Sequence, residues 1–148
     1  MQSSLEKEID KLNEFRQALA KHSRDIRKSS AMNKIKNLTD IEISIINMLG
    51  KNNNIIIKEI SEELQIPKST LTSALDRLEK KNYVIRTLSP RDRRSYGLEL
   101  TEEGKEVHSE YMNYENNFCE KILNSLDKEY EKLMLFKLLN KIIDNLDK

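Results

Sequence analysis

Hydrophobic and polar residues alternate with a helical period over most of this chain. In the first part, apolar side chains recur at spacings of three and four residues, which predicts one long amphipathic helix with a seam close to a heptad pattern. The recurring positions are Leu5, Ile9, Leu12, Phe15, Leu19, His22 and Ile26. A helix of this length needs an apolar partner, so we expect it to pack on C-terminal helices of the same chain or of a second copy.

A second helix is predicted to begin after Thr39, where the letters LTDIE have the form of a capping box. Thr39 would accept a hydrogen bond from the Glu42 N–H while the Glu42 carboxylate reaches back to the N–H of Thr39. We expect this helix to end at Gly50, before a run of asparagines. A short strand at Ile55 to Ile57 and then a short helix would follow.

The middle of the chain has the pattern of a helix-turn-helix. The short helix is separated from a second helix, Lys68 to Lys81, by Gln65, Ile66 and Pro67, because the residue before a proline avoids the α region and proline suits a helix start. One stripe of the second helix is apolar, with Leu71, Ala74, Leu75 and Leu78. The opposite face is polar, with Ser69, Thr72, Ser73, Asp76 and Lys80. Two helices joined by a short turn, the second with a polar outer face, indicate a helix-turn-helix.

A basic β-hairpin is predicted directly after the helix-turn-helix. Asn82 can take the left-handed conformation that ends the helix. Two β-prone runs, Tyr83 to Leu88 and Ser95 to Leu100, flank the tip SPRDRR. The pattern is typical of a two-stranded wing.

Two more helices are predicted after the wing. Thr101 would cap the first, and Asp127 would cap the last. The apolar positions of the first are Val107, Tyr111, Tyr114, Phe118, Ile122 and Leu126, and those of the last are Leu135, Leu139, Ile142, Ile143 and Leu146. The predicted fold is mainly α: a winged helix-turn-helix with a two-stranded β wing and long N- and C-terminal dimerisation helices. Residues 1–36 would form the N-terminal dimerisation helix, residues 37–100 the DNA-binding lobe, and residues 101–148 the helices that complete the dimerisation region.

Composition agrees with a soluble, mostly helical protein. Of the 148 residues, 34% are charged and 37% hydrophobic, with only three Gly and two Pro. No apolar run approaches the ~20 residues that span a bilayer, and the N-terminus lacks the regions of a signal peptide. We therefore expect a cytoplasmic protein with no membrane partner. The single cysteine, Cys119, fits a reducing compartment, and we expect a buried thiol without a redox role.

The chain lacks the residue clusters of an enzyme. Two His and one Cys lie far apart in sequence, which predicts no metal site and no cofactor. No pairing of a nucleophile with a base and no glycine-rich phosphate loop is present, so we expect no catalytic activity.

Charge is unevenly distributed along the chain. The stretch from Lys68 to Tyr96 contains eight Lys or Arg and three Asp or Glu. The stretch from Gly97 onward contains seven Lys or Arg and twelve Asp or Glu. The helix-turn-helix and wing therefore carry a positive field that attracts phosphate.

From Ile57 to Gly104 the sequence resembles the multiple-antibiotic-resistance regulator (MarR) family of bacterial winged-helix repressors. The resemblance is carried by PKSTLTSALDRLEKKNYVIRTLSPRDRRSYGLELTEEG, in particular by LEKK, VIR, the DRR wing tip and LTEEG at ungapped spacing. Asn82 stands where the family usually has Gly, and Ser73 where a basic residue is frequent.

The resemblance implies a set of DNA contacts. Arg94 would enter the minor groove, while Asp92 holds the wing tip in shape. Arg91 and Arg93 would contact phosphates. Arg86 would either bind a phosphate or pair with Asp76 inside the protein. The residues expected at the major groove are Lys68, Ser69, Thr70, Thr72, Ser73, Asp76 and Arg77, of which Thr70 and Arg77 lie at the edges of the face.

The resemblance also implies an effector pocket among the first helix, the helix after Thr39 and the helix after Thr101. Its candidate lining residues are Phe15, Leu19, His22, Met48, His108, Tyr111 and Met112. The simpler alternative is that these side chains are core or dimer interface.

Together these features predict a homodimeric, sequence-specific regulator of transcription that binds double-stranded DNA at a pseudo-palindromic operator. Half-sites would lie about 10 bp apart. The expected mode is repression released by a small aromatic or phenolic effector. The alternative is a winged-helix module that binds proteins and has no specific affinity for DNA, although clustered like charges are depleted in the cores of protein interfaces.

Overall fold

The computed structural model describes residues 3–29, 34–52, 54–89, 94, 96–146 and 148. Within them the elements are α1 Ser4–Ser29, α2 Asp40–Lys51, α3 Ile57–Leu64, α4 Lys68–Lys80, β1 Val84–Leu88, β2 Tyr96–Leu100, α5 Glu102–Asn124 and α6 Glu129–Leu146, with a 3-10 turn at Ile35–Asn37. The prediction of a mainly helical winged helix-turn-helix with a two-stranded wing is confirmed. The chain divides into two compact units, Met1–Tyr114 and Glu115–Lys148.

The core of the first unit lies within the winged helix. Fully buried aliphatic side chains come from α2, α3, α4, both strands and α5. They include Ile45, Ile46, Ile60, Leu71, Leu75, Leu78, Val84, Leu98 and Val107. The apolar stripe predicted for the second helix of the motif is therefore the face that α4 buries, which leaves its polar face outside.

The capping box at the start of α2 is present as predicted. Thr39 N–H donates to Glu42 Oε2 at 2.8 Å, and Glu42 N–H donates to Thr39 Oγ1 at 3.2 Å. The end predicted for this helix was wrong, because α2 continues through Gly50 to Lys51. A Cβ at Gly50 would stand 2.4 Å from Nε2 of His108, so this glycine allows α5 to approach α2.

Two non-glycine residues in the left-handed conformation shape the helix-turn-helix and its exit. Asn82, with φ 59°, has the conformation predicted for it. Gln65, with φ 51°, ends α3 in the same conformation, which the sequence pattern did not predict. The strand expected at Ile55 to Ile57 is reduced to a single bridge between Ile56 and Gly97, and α3 already begins at Ile57.

The wing is an antiparallel pair whose register joins Val84 to Leu100 and Leu88 to Tyr96. The predicted runs match both strands to within one residue, and Ser95 lies outside the described residues. Thr101 anchors the wing to α5, because its Oγ1 accepts from the Gly104 N–H at 3.0 Å and donates to the Asn82 carbonyl at 2.6 Å.

The second unit holds the end of α5 and the whole of α6. The cap predicted at Asp127 was wrong by one residue: α6 begins at Glu129, and Glu131 Oε2 accepts from the Lys128 N–H at 3.0 Å. Helix α5 ends at Asn124, before Leu126. Large apolar side chains of α6 are exposed, namely Tyr130, Leu133, Met134, Phe136, Leu138, Leu139, Ile142, Ile143 and Leu146.

Candidate nucleic-acid interface

The outer face of α4 is a continuous polar surface. Its exposed side chains are Lys68, Ser69, Thr72, Ser73, Asp76, Arg77 and Lys80, and Thr70 is half-buried at the edge. Short hydroxyl side chains at the centre of this face would let a helix approach base edges closely. The Thr72 hydroxyl donates to the Lys68 carbonyl at 2.9 Å, so toward a partner outside the helix it offers its acceptor lone pairs.

A cleft joins the start of α4 to the wing. It has a volume of about 450 Å³ and is lined by Ile57, Lys58, Ser61, Glu62, Lys68, Arg94 and Tyr96. The structure therefore brings together Lys68 and Arg94, which sequence reasoning assigned to two different grooves. Sequence reasoning missed Lys58 and Tyr96, because only the folded arrangement of α3 and β2 places them beside that pair.

Arg91, Asp92 and Arg93 lie outside the described residues, and their DNA contacts stay predictions. Arg94 is described and exposed. A guanidinium at this point on the wing can reach a groove or a phosphate on the side where α4 presents its polar face.

Arg86 is paired inside the protein. Its Nη2 donates to Asp76 Oδ1 at 2.8 Å and lies 3.4 Å from Glu79 Oε2, so the guanidinium links β1 to α4. Of the two alternatives left open by the sequence, the internal pair is present in this structure.

A buried carboxylate underlies the other edge of α4. Glu42 is 1% exposed, and its Oε1 accepts from Arg77 Nε at 2.9 Å. Its Oε2 lies 3.4 Å from Lys81 Nζ, which also donates to the Asn37 carbonyl at 3.2 Å. The sequence explained Glu42 as a cap residue, and no local signal indicated partners on α4.

Two of the candidate effector residues, His108 and Met48, line different cavities. His108 lines a cavity of about 560 Å³ with Leu49, Gly50, Asn52, Asn54, Leu98, Glu99, Leu100 and Lys105. Met48 lines another, of about 550 Å³. Phe15 is 56% exposed on α1. Leu19, Tyr111 and Met112 are half-buried and His22 is exposed, and the effector pocket stays a prediction.

His108 is half-buried on α5. Burial lowers the pKa of its imidazole below the ordinary value, and Lys51 adds to this. Its Nε2 is buried and has no hydrogen-bond partner among the described residues. A neutral ring is favoured at this position.

The 3-10 turn at Ile35–Asn37, just before α2, is held by Arg27 of α1. Arg27 donates through Nη2 to the carbonyls of Ile35, at 3.1 Å, and Leu38, at 2.6 Å. On α5, Glu110 is buried, and its Oε1 has no hydrogen-bond partner in the described part of the chain. Burial raises the pKa of Glu110, although Ile35 and Lys34 oppose the shift.

The expectation of a buried Cys119 was wrong, because this thiol is exposed on α5. Among the side chains that the structure describes, no group of three or more His, Cys, Asp or Glu could hold a metal ion. Within the same residues, no helix has the length and hydropathy needed to cross a membrane.

The winged-helix part of the chain is similar to known transcriptional regulators. Residues 36–95 match the model of the MarR family. The HTH-type transcriptional regulator SarZ of Staphylococcus epidermidis is 34% identical over 94 residues, 62% of this chain and 61% of that protein. The chain thus spans about six-tenths of the length of this relative. The HTH-type transcriptional repressor MdtR of Bacillus subtilis is 36% identical over 67 residues, 45% of this chain and 43% of that protein.

Two solved structures are similar to this chain over nearly its whole length. FabT of Streptococcus pneumoniae, crystallised in complex with DNA, has a TM-score of 0.76 and 26% identity, covering 98% of both chains. The YusO protein of Bacillus subtilis has a TM-score of 0.76 and 25% identity, covering 97% of this chain and 99% of that one.

Proposed function

We propose that this chain, a MarR-family protein by its winged-helix lobe at residues 36–95, is a sequence-specific, double-stranded DNA-binding regulator of transcription. The observation that carries the proposal is the cleft that unites Lys68 of α4 with Arg94 of the wing beside the polar face of α4. A helix for the major groove and a wing for the adjacent groove or backbone form a two-part reader. The DNA in the FabT complex supports the same partner class.

On this proposal, the major-groove contacts are Lys68, Ser69, Thr70, Thr72, Ser73 and Asp76, the backbone contacts are Arg77, Arg91 and Arg93, and Arg94 enters the minor groove with Asp92 shaping the tip. Arg86 serves as an internal link. Since such a regulator works where the chromosome lies, we expect a cytoplasmic protein. We propose no catalytic role, in keeping with relatives that are described as transcriptional regulators.

We further propose a homodimer on a pseudo-palindromic operator. Large apolar side chains are exposed on α1, at Leu5, Ile9, Leu12 and Phe15, and along α6. Exposed apolar patches of this kind mark interaction surfaces, and a two-fold dimer is the commonest assembly. Residues 1–36 and 101–148 would then supply the dimer contacts and residues 37–100 the DNA contacts.

Footprinting on the DNA upstream of the chain's own gene, at several salt concentrations, tests the function. We expect two protected half-sites about 10 bp apart, centre to centre, with an affinity that falls steeply as salt rises. Arg94→Ala should weaken binding, whereas Lys141→Ala, on exposed α6, should not. Salt-independent binding, or indifference to Arg94→Ala, would contradict the proposal and favour the protein-interaction module.

Repression released by a small aromatic or phenolic effector is the mode we propose. About 3 kcal/mol of differential binding would change the affinity for DNA roughly 100-fold. The same footprint with and without candidate aromatic acids tests this. An unchanged operator affinity at saturating acid, with binding of the acid shown separately, would contradict it.

A further inference from the structure

Glu42 pairs with two cations at the C-terminal end of α4, Arg77 and the capping residue Lys81. This carboxylate lies in the first turn of α2 and is almost fully buried. Arg77 Nε donates to its Oε1 at 2.9 Å, while Thr39 N–H donates to its Oε2 at 2.8 Å and Lys81 Nζ lies 3.4 Å from the same oxygen. Both oxygens are thus satisfied, which a buried charge requires.

The carboxylate is ionised at neutral pH. Burial acts to raise the pKa of Glu42, but the Thr39 hydrogen bond and the neighbouring Arg77 and Lys81 outweigh it and lower the pKa below its ordinary value. A permanent anion therefore lies under one edge of the polar face of α4.

Arg77 gives Glu42 only its inner nitrogen. Among the described residues no hydrogen bond reaches Nη1 or Nη2, and the side chain is half-exposed. A guanidinium is planar, so a hydrogen bond that fixes the Nε–H direction also fixes the plane in which the terminal nitrogens lie. The four N–H groups of Arg77 Nη1 and Nη2 therefore project from the edge of α4 in a fixed orientation.

Arg86 makes the informative contrast. Its terminal Nη2 donates to Asp76 and lies 3.4 Å from Glu79 Oε2, so one of its two terminal nitrogens is already paired within the protein. Of these two arginines, Arg77 is the one with neither terminal nitrogen in a hydrogen bond to another described residue.

We infer that Glu42 is a positioning residue, which holds the guanidinium of Arg77 so that its terminal nitrogens grip one backbone phosphate at the edge of the major groove. The inference rests on the proposed DNA binding. Orienting the side chain before DNA arrives removes the ordering cost that a free arginine meets on binding, and a guanidinium fork matches the geometry of a phosphate.

Charge neutralisation alone predicts the opposite change in DNA affinity when the charge of Glu42 is removed. If Glu42 only neutralised Arg77, removing its charge would strengthen binding to the polyanion. If Glu42 orients Arg77, the same change weakens binding. The direction of the effect therefore separates positioning from neutralisation.

The test uses the full chain and a mixed-sequence DNA duplex, since phosphate contacts dominate non-specific binding. Affinity is measured by fluorescence anisotropy over a salt series for wild type, Glu42→Gln, Arg77→Lys and the double variant. We expect each single variant to bind about 10-fold more weakly, and the double variant to bind no more weakly than Arg77→Lys. The salt slope, meaning the steepness with which the logarithm of the affinity falls with the logarithm of the salt concentration, should decrease by about 1 per chain in an Arg77→Gln variant.

Thr39→Ala is the matched control, because it breaks the other half of the same capping box and leaves the Glu42–Arg77 pair in place. It should bind DNA like wild type, with thermal melts reporting any shared loss of stability. Arg77→Lys keeps the charge at a half-exposed site, so it remains informative even if Glu42→Gln does not fold. Unchanged binding by Arg77→Lys, or unchanged or tighter binding by folded Glu42→Gln, would overturn the inference alone. Wild type that binds no duplex at low salt would overturn the proposed function instead.

Discussion

Nη2 of Arg86 on β1 lies 2.8 Å from Oδ1 of Asp76 on α4. This pair spans the two parts of the proposed DNA reader, because Asp76 is on the polar face of the helix and Arg86 is at the root of the wing. It orients the wing relative to α4. It also partly neutralises Asp76, an acidic side chain on the face that is proposed to approach the DNA.

The pair should contribute to stability and leave the number of phosphate contacts unchanged. Arg86→Met is expected to lower the free energy of unfolding by roughly 0.5–1 kcal/mol, because the pair is partly exposed and screened by solvent. The salt slope of DNA binding should stay at the wild-type value. Urea unfolding and a salt titration measure the two effects, and a slope that falls by about 1 would identify Arg86 as a phosphate contact instead.

Gly104 is required by the contact between α5 and the wing. A Cβ there would stand 2.0 Å from the Tyr83 carbonyl oxygen, which belongs to rigid backbone. We expect Gly104→Ala to lower the free energy of unfolding by about 3 kcal/mol. Gly50→Ala, whose Cβ meets the movable ring of His108, should cost distinctly less in the same denaturant titration. Equal losses would show that the two contacts are equally unyielding.

Gln65 holds a left-handed conformation that does not suit its side chain. Gln65→Gly should therefore raise the free energy of unfolding by about 1 kcal/mol. Asn82→Gly should raise it less, because asparagine tolerates this conformation better than glutamine. Thermal or denaturant unfolding compares the two, and a loss of stability in Gln65→Gly would indicate that its side chain makes a contact that outweighs the backbone strain.

Glu110 should make stability depend on pH in an identifiable direction. Its pKa is raised in the folded state, chiefly by burial, so its contribution to stability is present below the unfolded pKa, near 4.5, and is lost as pH rises through the folded value. Glu110→Gln should therefore gain stability relative to wild type as pH is raised from 4 toward 8. Unfolding both proteins at each pH gives the difference between their free energies of unfolding. The contributions of the other carboxyl groups cancel in this difference. A flat curve would contradict the assignment.

The apolar face of α6 should carry the dimer. Ile142 is 53% exposed, and replacing it by Glu would bury a charge in the proposed interface. Ile142→Glu is expected to weaken self-association by about 100-fold, as measured by sedimentation at several concentrations. Lys141→Glu introduces the same side chain at the neighbouring position and should leave the dimer intact. Equal effects of both variants would argue against an α6 interface.

Local signals in the sequence were sufficient for most of the fold. The Thr39–Glu42 capping box, the left-handed Asn82 and the buried stripe of α4 each depend on residues within one or two helical turns. Elements that such signals specify are predictable because the chain near the residue determines the conformation. The same holds for the limits of the two strands, which match the predicted β-prone runs to within one residue.

Only the tertiary structure decided the partners of the charged residues. Glu42 and Arg77 are 35 residues apart, and Asp76 and Arg86 meet because β1 returns along α4. Gly50 lies within α2, where a Cβ would meet His108 of α5, and Cys119 is exposed although a buried thiol was expected. The sequence by itself determined which faces are apolar and where helices start. Which side chains meet across elements depends on how those faces pack, because distant pairs carry no periodic signal of their own.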